Sequence, residues 1–270
     1  MRELSLYGLS TRTPVRLLGR ADELDAAVRS AWSRCLDLDA AGAGELQTEG
    51  LTVRLLEEGD ASVPGPDADG DSIADTDPGP LLQLLTQRVT YAKIHAQAGR
   101  LLMLHAAAVA HPETGRAIAF VAPGGTGKTT LARHLGARYG YLTDETVAID
   151  AGGLIHPYPK PLSIRGSSGY AKTETSPDEL GLRTPPSACR LRRIVLLDRS
   201  DDHAGTPVVA PLTPFQAIAA LAPATSSLAS LPRPLHGLAD LLGTLDETVR
   251  LTYRDAGAIA DLVADWLVPA

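Results

Sequence analysis

The chain has 270 residues, 44% of them hydrophobic, enough to bury one large core or one core with a small appended module. Its net charge of -7 argues against nucleic acid or an anionic membrane as the main partner, because both reward a basic surface. Two widely separated cysteines, Cys35 and Cys189, give neither a disulfide framework nor a zinc-ligand spacing and read as free thiols; with no apolar run of the ~18 residues that a span needs, a soluble, cytoplasmic protein is expected.

Residues 1–56 read as a small α+β module. Leu4–Leu9 and Pro14–Leu18 are strand candidates, and Leu24, Ala27, Val28, Ala31, Trp32 and Cys35 recur at helical spacing. A strand over 51–56 closes the module. From 57 to 80 the composition turns acidic and rich in Pro and Gly, with no basic residue, which predicts a flexible loop or linker. Within it Asp67, Asp69 and Asp71 alternate as in a calcium loop, but the rest of that pattern is missing.

The main domain is expected over 81–270. A helix is predicted from Leu81 to Gly99, and a mostly apolar strand over 101–110 that contains His105. A turn at 111–116 leads into the buried strand Ile118–Val121. The segment Ala122-Pro123-Gly124-Gly125-Thr126-Gly127-Lys128-Thr129-Thr130 follows, and an amphipathic helix leaves it. Between a strand and a helix, glycines let main-chain N–H groups turn onto a polyphosphate, and the helix N-terminus adds partial positive charge. Pro123, Gly124, Gly125, Thr126, Gly127, Lys128, Thr129 and Thr130 are therefore expected to bind ATP. Lys128 is expected to reach the β/γ oxygens, and Thr129 to ligate Mg2+. Ala122 stands where the pattern usually opens with Gly.

A phosphoryl-transfer site also needs carboxylates. Two candidates compete: Asp198, at the end of the apolar run Ile194–Leu197, and the pair Asp144-Glu145, soon after the loop's helix. Short strands are predicted at 141–142, 146–150, 154–155 and 193–198, and the last fifty residues read as mainly helical.

Leu104-His105-Ala106-Ala107, the glycine loop, Leu142-Thr143-Asp144-Glu145-Thr146-Val147-Ala148-Ile149 and Pro157-Tyr158-Pro159-Lys160-Pro161-Leu162-Ser163, in that order, resemble the bacterial HPr serine kinase/phosphorylase superfamily. The likeness is greatest to its shorter relatives in peptide-biosynthesis clusters, such as lasso-peptide kinases, and spans roughly residues 81–220. It implies an α/β fold with a P-loop core of the HPr kinase/phosphoenolpyruvate carboxykinase type, preceded by the small α+β module. It also implies catalytic roles for His105, Lys128, Asp144 and Glu145, with Asp144 on the metal. The family's usual pair is Asp-Asp, so Glu145 leaves open which carboxylate takes the proton. Read without the resemblance, His105 is a satisfied core histidine on an apolar strand. The C-terminal signature of the HPr enzymes is missing, so phosphorylase activity is not expected.

Lys160 and Arg165 lie beside a polar, Gly/Ser-containing stretch over 166–175 that reads either as a flap, with the two cations clamping a phosphate or a substrate carboxylate, or as a solvated surface loop with ordinary charges. Arg190, Arg192 and Arg193 read as a solvated strand flank. The activity implied is an ATP- and Mg2+-dependent kinase acting on a hydroxyl, a serine of a peptide or small protein. The rivals are a kinase for a small hydroxyl metabolite such as a free amino acid, and a non-catalytic ATP-binding scaffold. The family's habit of assembling leaves a homo-oligomer open.

Overall fold

The computed structural model describes residues 1–36, 46–60, 65–67, 71–165 and 172–268. The chain divides into two compact units, Met1–Gln97 with Pro159–Leu180, and Ala98–Tyr158 with Gly181–Ala270. No helix among the described residues is long and apolar enough to cross a membrane.

In the first unit, strands Arg2–Gly8 and Thr11–Gly19 form an antiparallel hairpin, and Leu51–Leu55 and Ser72–Asp75 extend the sheet in parallel. Helix Ala21–Ala31 buries Leu24, Val28 and Ala31. The strand Ser72–Asp75 corrects the expectation of a loop throughout 57–80. Ile73, fully buried, pairs with Val53 and draws this piece of the acidic segment into the sheet. Asp69 of the alternating acidic trio lies outside the described residues.

The helix expected from Leu81 begins earlier, at Pro78, and runs to Ala96. Asp77 accepts a hydrogen bond from the Gly79 amide at 2.8 Å, and Pro78 occupies the first helical position, where no intrahelical N–H is lost. Its buried residues, Leu81, Leu82, Leu85, Thr86, Val89, Thr90 and Lys93, follow the helical repeat. The whole helix belongs to the first unit, so the boundary falls after Gln97 rather than at residue 81. Strands Leu162–Arg165 and Lys172–Thr175 pair within this unit too; the flap residues 166–171 lie outside the described residues.

A buried cation holds the first hairpin. Leu9 and Ser10 form its tip, both at φ +51, a left-handed conformation that costs non-glycine residues of order 1 kcal/mol each. The fully buried Lys93 ammonium donates to the carbonyls of Leu6 (2.8 Å) and Thr11 (2.6 Å), and Gln97 donates to Leu9 O at 2.7 Å. Helix and turn are thereby locked together.

In the second unit, a mixed sheet runs in the order Leu154–His156, Thr146–Ile149, Leu102–Ala110, Arg116–Val121, Cys189–Arg199, Glu247–Tyr253, Val208–Pro211. Strand Arg116–Val121 is antiparallel to Leu102–Ala110 and parallel to Cys189–Arg199, which is parallel to Glu247–Tyr253. Strands covered on both faces read as continuous apolar runs. In Leu102–Ala110 every residue is buried except His105.

The C-terminal region is less helical than expected. Helices Pro214–Leu221, Pro234–Leu242 and Ala260–Leu267 are present, the first opened by a capping box between Thr213 and Gln216. Glu247–Tyr253, however, is a central strand, whose buried Val249, Leu251 and Tyr253 alternate with more exposed residues. Arg192 pairs with Asp246, and Arg193 with Glu247 while stacking 4.9 Å over Trp266, so both are tied to the strand flank.

Replacing Lys93 with Met should remove both carbonyl bonds and destabilise the fold by about 2–4 kcal/mol. Urea unfolding of Lys93→Met against the wild type measures it; an unchanged midpoint would mean that the hairpin holds its tip without the ammonium.

Candidate functional site

The glycine loop joins the end of strand Arg116–Val121 to helix Lys128–Gly136. Gly125 and Gly127 have φ of +80 and +98, so only glycine takes both positions without strain. A Cβ built on Gly124, Gly125 or Gly127 would meet nothing within 4 Å, so the loop presents bare main chain to open space. Gly127 precedes the helix without a side-chain cap, which leaves the first-turn amides to an acceptor from outside. Thr126 Oγ1 donates to Pro123 O at 2.8 Å and closes the loop on itself.

The buried Lys128 ammonium donates to Ala122 O at 2.6 Å and Pro123 O at 3.0 Å. Burial lowers its pKa, opposed by the charges of Asp144 and Glu145. Its neighbour Thr129 donates from Oγ1 to Asp144 Oδ2 at 2.9 Å. The other carboxylate oxygen, Oδ1, accepts from the fully buried Tyr141 hydroxyl at 3.1 Å, so two hydroxyls hold the buried Asp144.

Strands Gly140–Thr143 and Thr146–Ile149 leave only Asp144 and Glu145 between them. Thr143 Oγ1 accepts from the amides of Glu145 (3.2 Å) and Thr146 (3.3 Å), which fixes this tight turn. The Ala106 amide then donates to Glu145 O at 3.0 Å, beside His105, which lies opposite Thr146 in the sheet. His105 is partly exposed, and burial is the largest cause of its lowered pKa. The Lys128 charge lowers it further, while Glu145 and Asp144 oppose. The net effect disfavours the charged imidazole.

His105, Lys128, Thr129, Asp144 and Glu145 are thus brought together on three neighbouring elements. Asp198 is at the exposed end of its strand, where it accepts from Thr252 Oγ1 at 3.1 Å. It borders a cleft of about 720 Å3 that His105, Ala122 and Pro123 also line. Lys160 and Arg165 belong to the first unit. Lys160 is buried, and its ammonium donates to Pro161 O at 3.0 Å. Arg165 is exposed at the end of its strand.

Two residues of this region carried no sequence signal. Tyr141 reads as one more apolar strand position, and Arg250, on the far side of the cleft, lies in the strand that composition assigned to helix. The alternation of Val249, Leu251 and Tyr253 was the signal for that strand.

No protein-family model matches the chain, and no curated protein matches it. Among solved structures it is similar to the Hpr(Ser) kinase/phosphatase from Coxiella burnetii, at 12% identity over 60% of this chain and 88% of that one, with a TM-score of 0.33.

The folded chain binds the His105 proton more weakly than the unfolded chain does. Stability present above the ordinary imidazole pKa should therefore decline as pH falls through that value towards the lower folded one. Urea midpoints measured between pH 8 and 5 should show a shallower decline in His105→Gln; an equally steep one would remove His105 as its source.

Proposed function

We propose that the chain is an ATP- and Mg2+-dependent kinase with a P-loop core, transferring the γ-phosphate to a hydroxyl, a serine of a peptide or small protein. The observation that carries this reading is the 2.9 Å contact of Thr129 Oγ1 with Asp144 Oδ2. It sets a hydroxyl and a carboxylate at the start of a helix that opens on a glycine loop. These are oxygen donors of the kind that Mg2+ takes. Among the described residues no group of three or more His, Cys, Asp or Glu offers a cage made of protein alone, so the donor set suits a metal shared with phosphate. Bound there, Mg2+ would supply counter-charge to the β- and γ-phosphate oxygens.

The chain's own residues account for the remaining roles. The loop and helix amides hold the polyphosphate, and Lys128 exchanges its two carbonyl partners for β/γ oxygens. Tyr141 keeps Asp144 oriented towards Thr129. With both Asp144 oxygens engaged, Glu145 is the carboxylate assigned to the acceptor proton. The bond from Pγ to the β–γ bridging oxygen breaks, the acceptor oxygen bonds to Pγ, its proton passes to Glu145, and ADP leaves. Most of the rate gain would come from position and charge, as in other phosphoryl transfers. His105 is available to hydrogen-bond the γ-phosphate or a carboxylate.

Transfer of labelled phosphate and binding of a fluorescent ATP analogue test this reading. Lys128→Ala should weaken both, whereas Asp144→Asn should keep binding and lower transfer by about a hundredfold or more. If Asp198→Asn abolished transfer and Asp144→Asn did not, the assignment of Asp144 and Glu145 would be overturned.

A further inference from the structure

We propose that the cleft beside the glycine loop is the acceptor site, and that it selects a serine-bearing peptide segment with an acidic side chain two or three residues from the serine, which Arg250 receives. The inference rests on the kinase reading above and adds the substrate class to it.

The first argument is position. Ala122 and Pro123 line the cleft, and their carbonyls are the partners of the Lys128 ammonium. The cation that reaches the β/γ oxygens of a bound nucleotide is therefore held by the cleft's own wall. His105 lines the same wall. Through His105, Ala122 and Pro123 the cleft adjoins the start of the loop on which the nucleotide's transferable end would lie.

The second argument is shape and polarity. A volume of about 720 Å3 lies in the range of sites that enclose small ligands or a few residues of a chain. Leu196, Leu197, Ala220 and Pro223 make most of its far wall apolar.

The third argument is an unmatched charge. Arg250 lines the cleft from strand Glu247–Tyr253, opposite Leu196 in the parallel register. The Arg250 side chain has no hydrogen-bond or ion-pair partner among the described residues; Arg133 and Arg233 share that property, but Arg250 is the arginine that lines the cleft. Asp198 on the adjacent strand takes the Thr252 hydroxyl instead. An exposed guanidinium on a largely apolar cleft suits a carboxylate, which it can bind through two parallel hydrogen bonds.

The sheet supplies a ruler. Arg250's strand lies two strand spacings from the one that ends in the glycine loop, or ~9–10 Å. An extended chain advances about 3.3–3.6 Å per residue. A carboxylate on Arg250 then belongs to a side chain two or three residues from the serine at the loop.

The test is a set of nine-residue alanine peptides with a central serine and Asp placed in turn at each position from four before to four after it, each matched by an Asn peptide. Transfer of labelled phosphate from ATP with Mg2+ is measured, alongside binding of mant-ATP. Wild type should label peptides with Asp two or three residues from the serine about tenfold or more above their Asn partners. Arg250→Gln should erase the preference and Arg250→Lys keep part of it, both binding mant-ATP as the wild type does.

Equal labelling of Asp and Asn peptides, a preference that survives Arg250→Gln, or free glycerate labelled above every peptide would each overturn the inference. So would nucleotide binding by the wild type with no peptide labelled. Loss of mant-ATP binding in Arg250→Gln would give the cleft to the nucleotide and overturn the acceptor assignment while sparing the kinase reading. Failure of the wild type to bind mant-ATP would instead be the failure of that reading itself.

Discussion

The hydrogen bond from Thr129 to Asp144 spans fifteen residues and joins the two halves of the site. One half is the start of a helix, fixed by the glycine loop before it. The other is a two-residue turn, fixed by Thr143 beneath it and by the Ala106 amide beside it. Either half alone is commonplace: a glycine-rich turn before a helix, or an acidic turn between strands. The hydroxyl–carboxylate contact makes a single polar centre of them, and Tyr141 secures it from the buried side. Both oxygens of the buried Asp144 side chain accept hydrogen bonds, so neither loses its contact with water uncompensated.

The sheet prepares that meeting with small side chains. Ala106, Ala107, Ala108 and Ala110 face Val121, Phe120, Ala119 and Ala117 across the antiparallel pair, and all are buried. Alanines leave room for close cover on both faces, which a strand in the middle of a sheet requires. His105 is the one break in that run. Burial and Lys128 both disfavour the charged form of this imidazole, which also lines the cleft beside the loop.

Local signals in the sequence were strong where backbone conformation or short-range order decides the outcome. The glycines at positive φ, the apolar strand before them and the acidic pair could all be read along the chain, because each imposes its geometry within a few residues. Signals failed where burial is set by distant partners. Lys160, in a Pro-rich charged stretch, reads as an exposed clamp, yet its ammonium is buried against a main-chain carbonyl. Ile73 pulls part of an acidic segment into a sheet through one buried side chain, although composition predicts a linker. The strand Glu247–Tyr253 was lost among flanking Ala and Leu, because the average composition of fifty residues hid an alternation only seven residues long. With the strand went Arg250, its one residue in the cleft lining.

Main-chain carbonyls hold three buried ammonium groups in this chain, and the difference between them bears on function. Lys93 donates to carbonyls of a hairpin that exists to be held, so its bonds are part of the fold. Lys160 bonds the carbonyl of the residue after it from a buried position in the first unit. Lys128 donates to the two carbonyls that open the glycine loop, and the main chain above that loop meets open space. Burial lowers the Lys128 pKa, while the charges of Asp144 and Glu145 oppose that shift. Its partners are main-chain dipoles where the glycine loop begins, whereas those of Lys93 flank the tip of a hairpin, and that is the difference between the two settings.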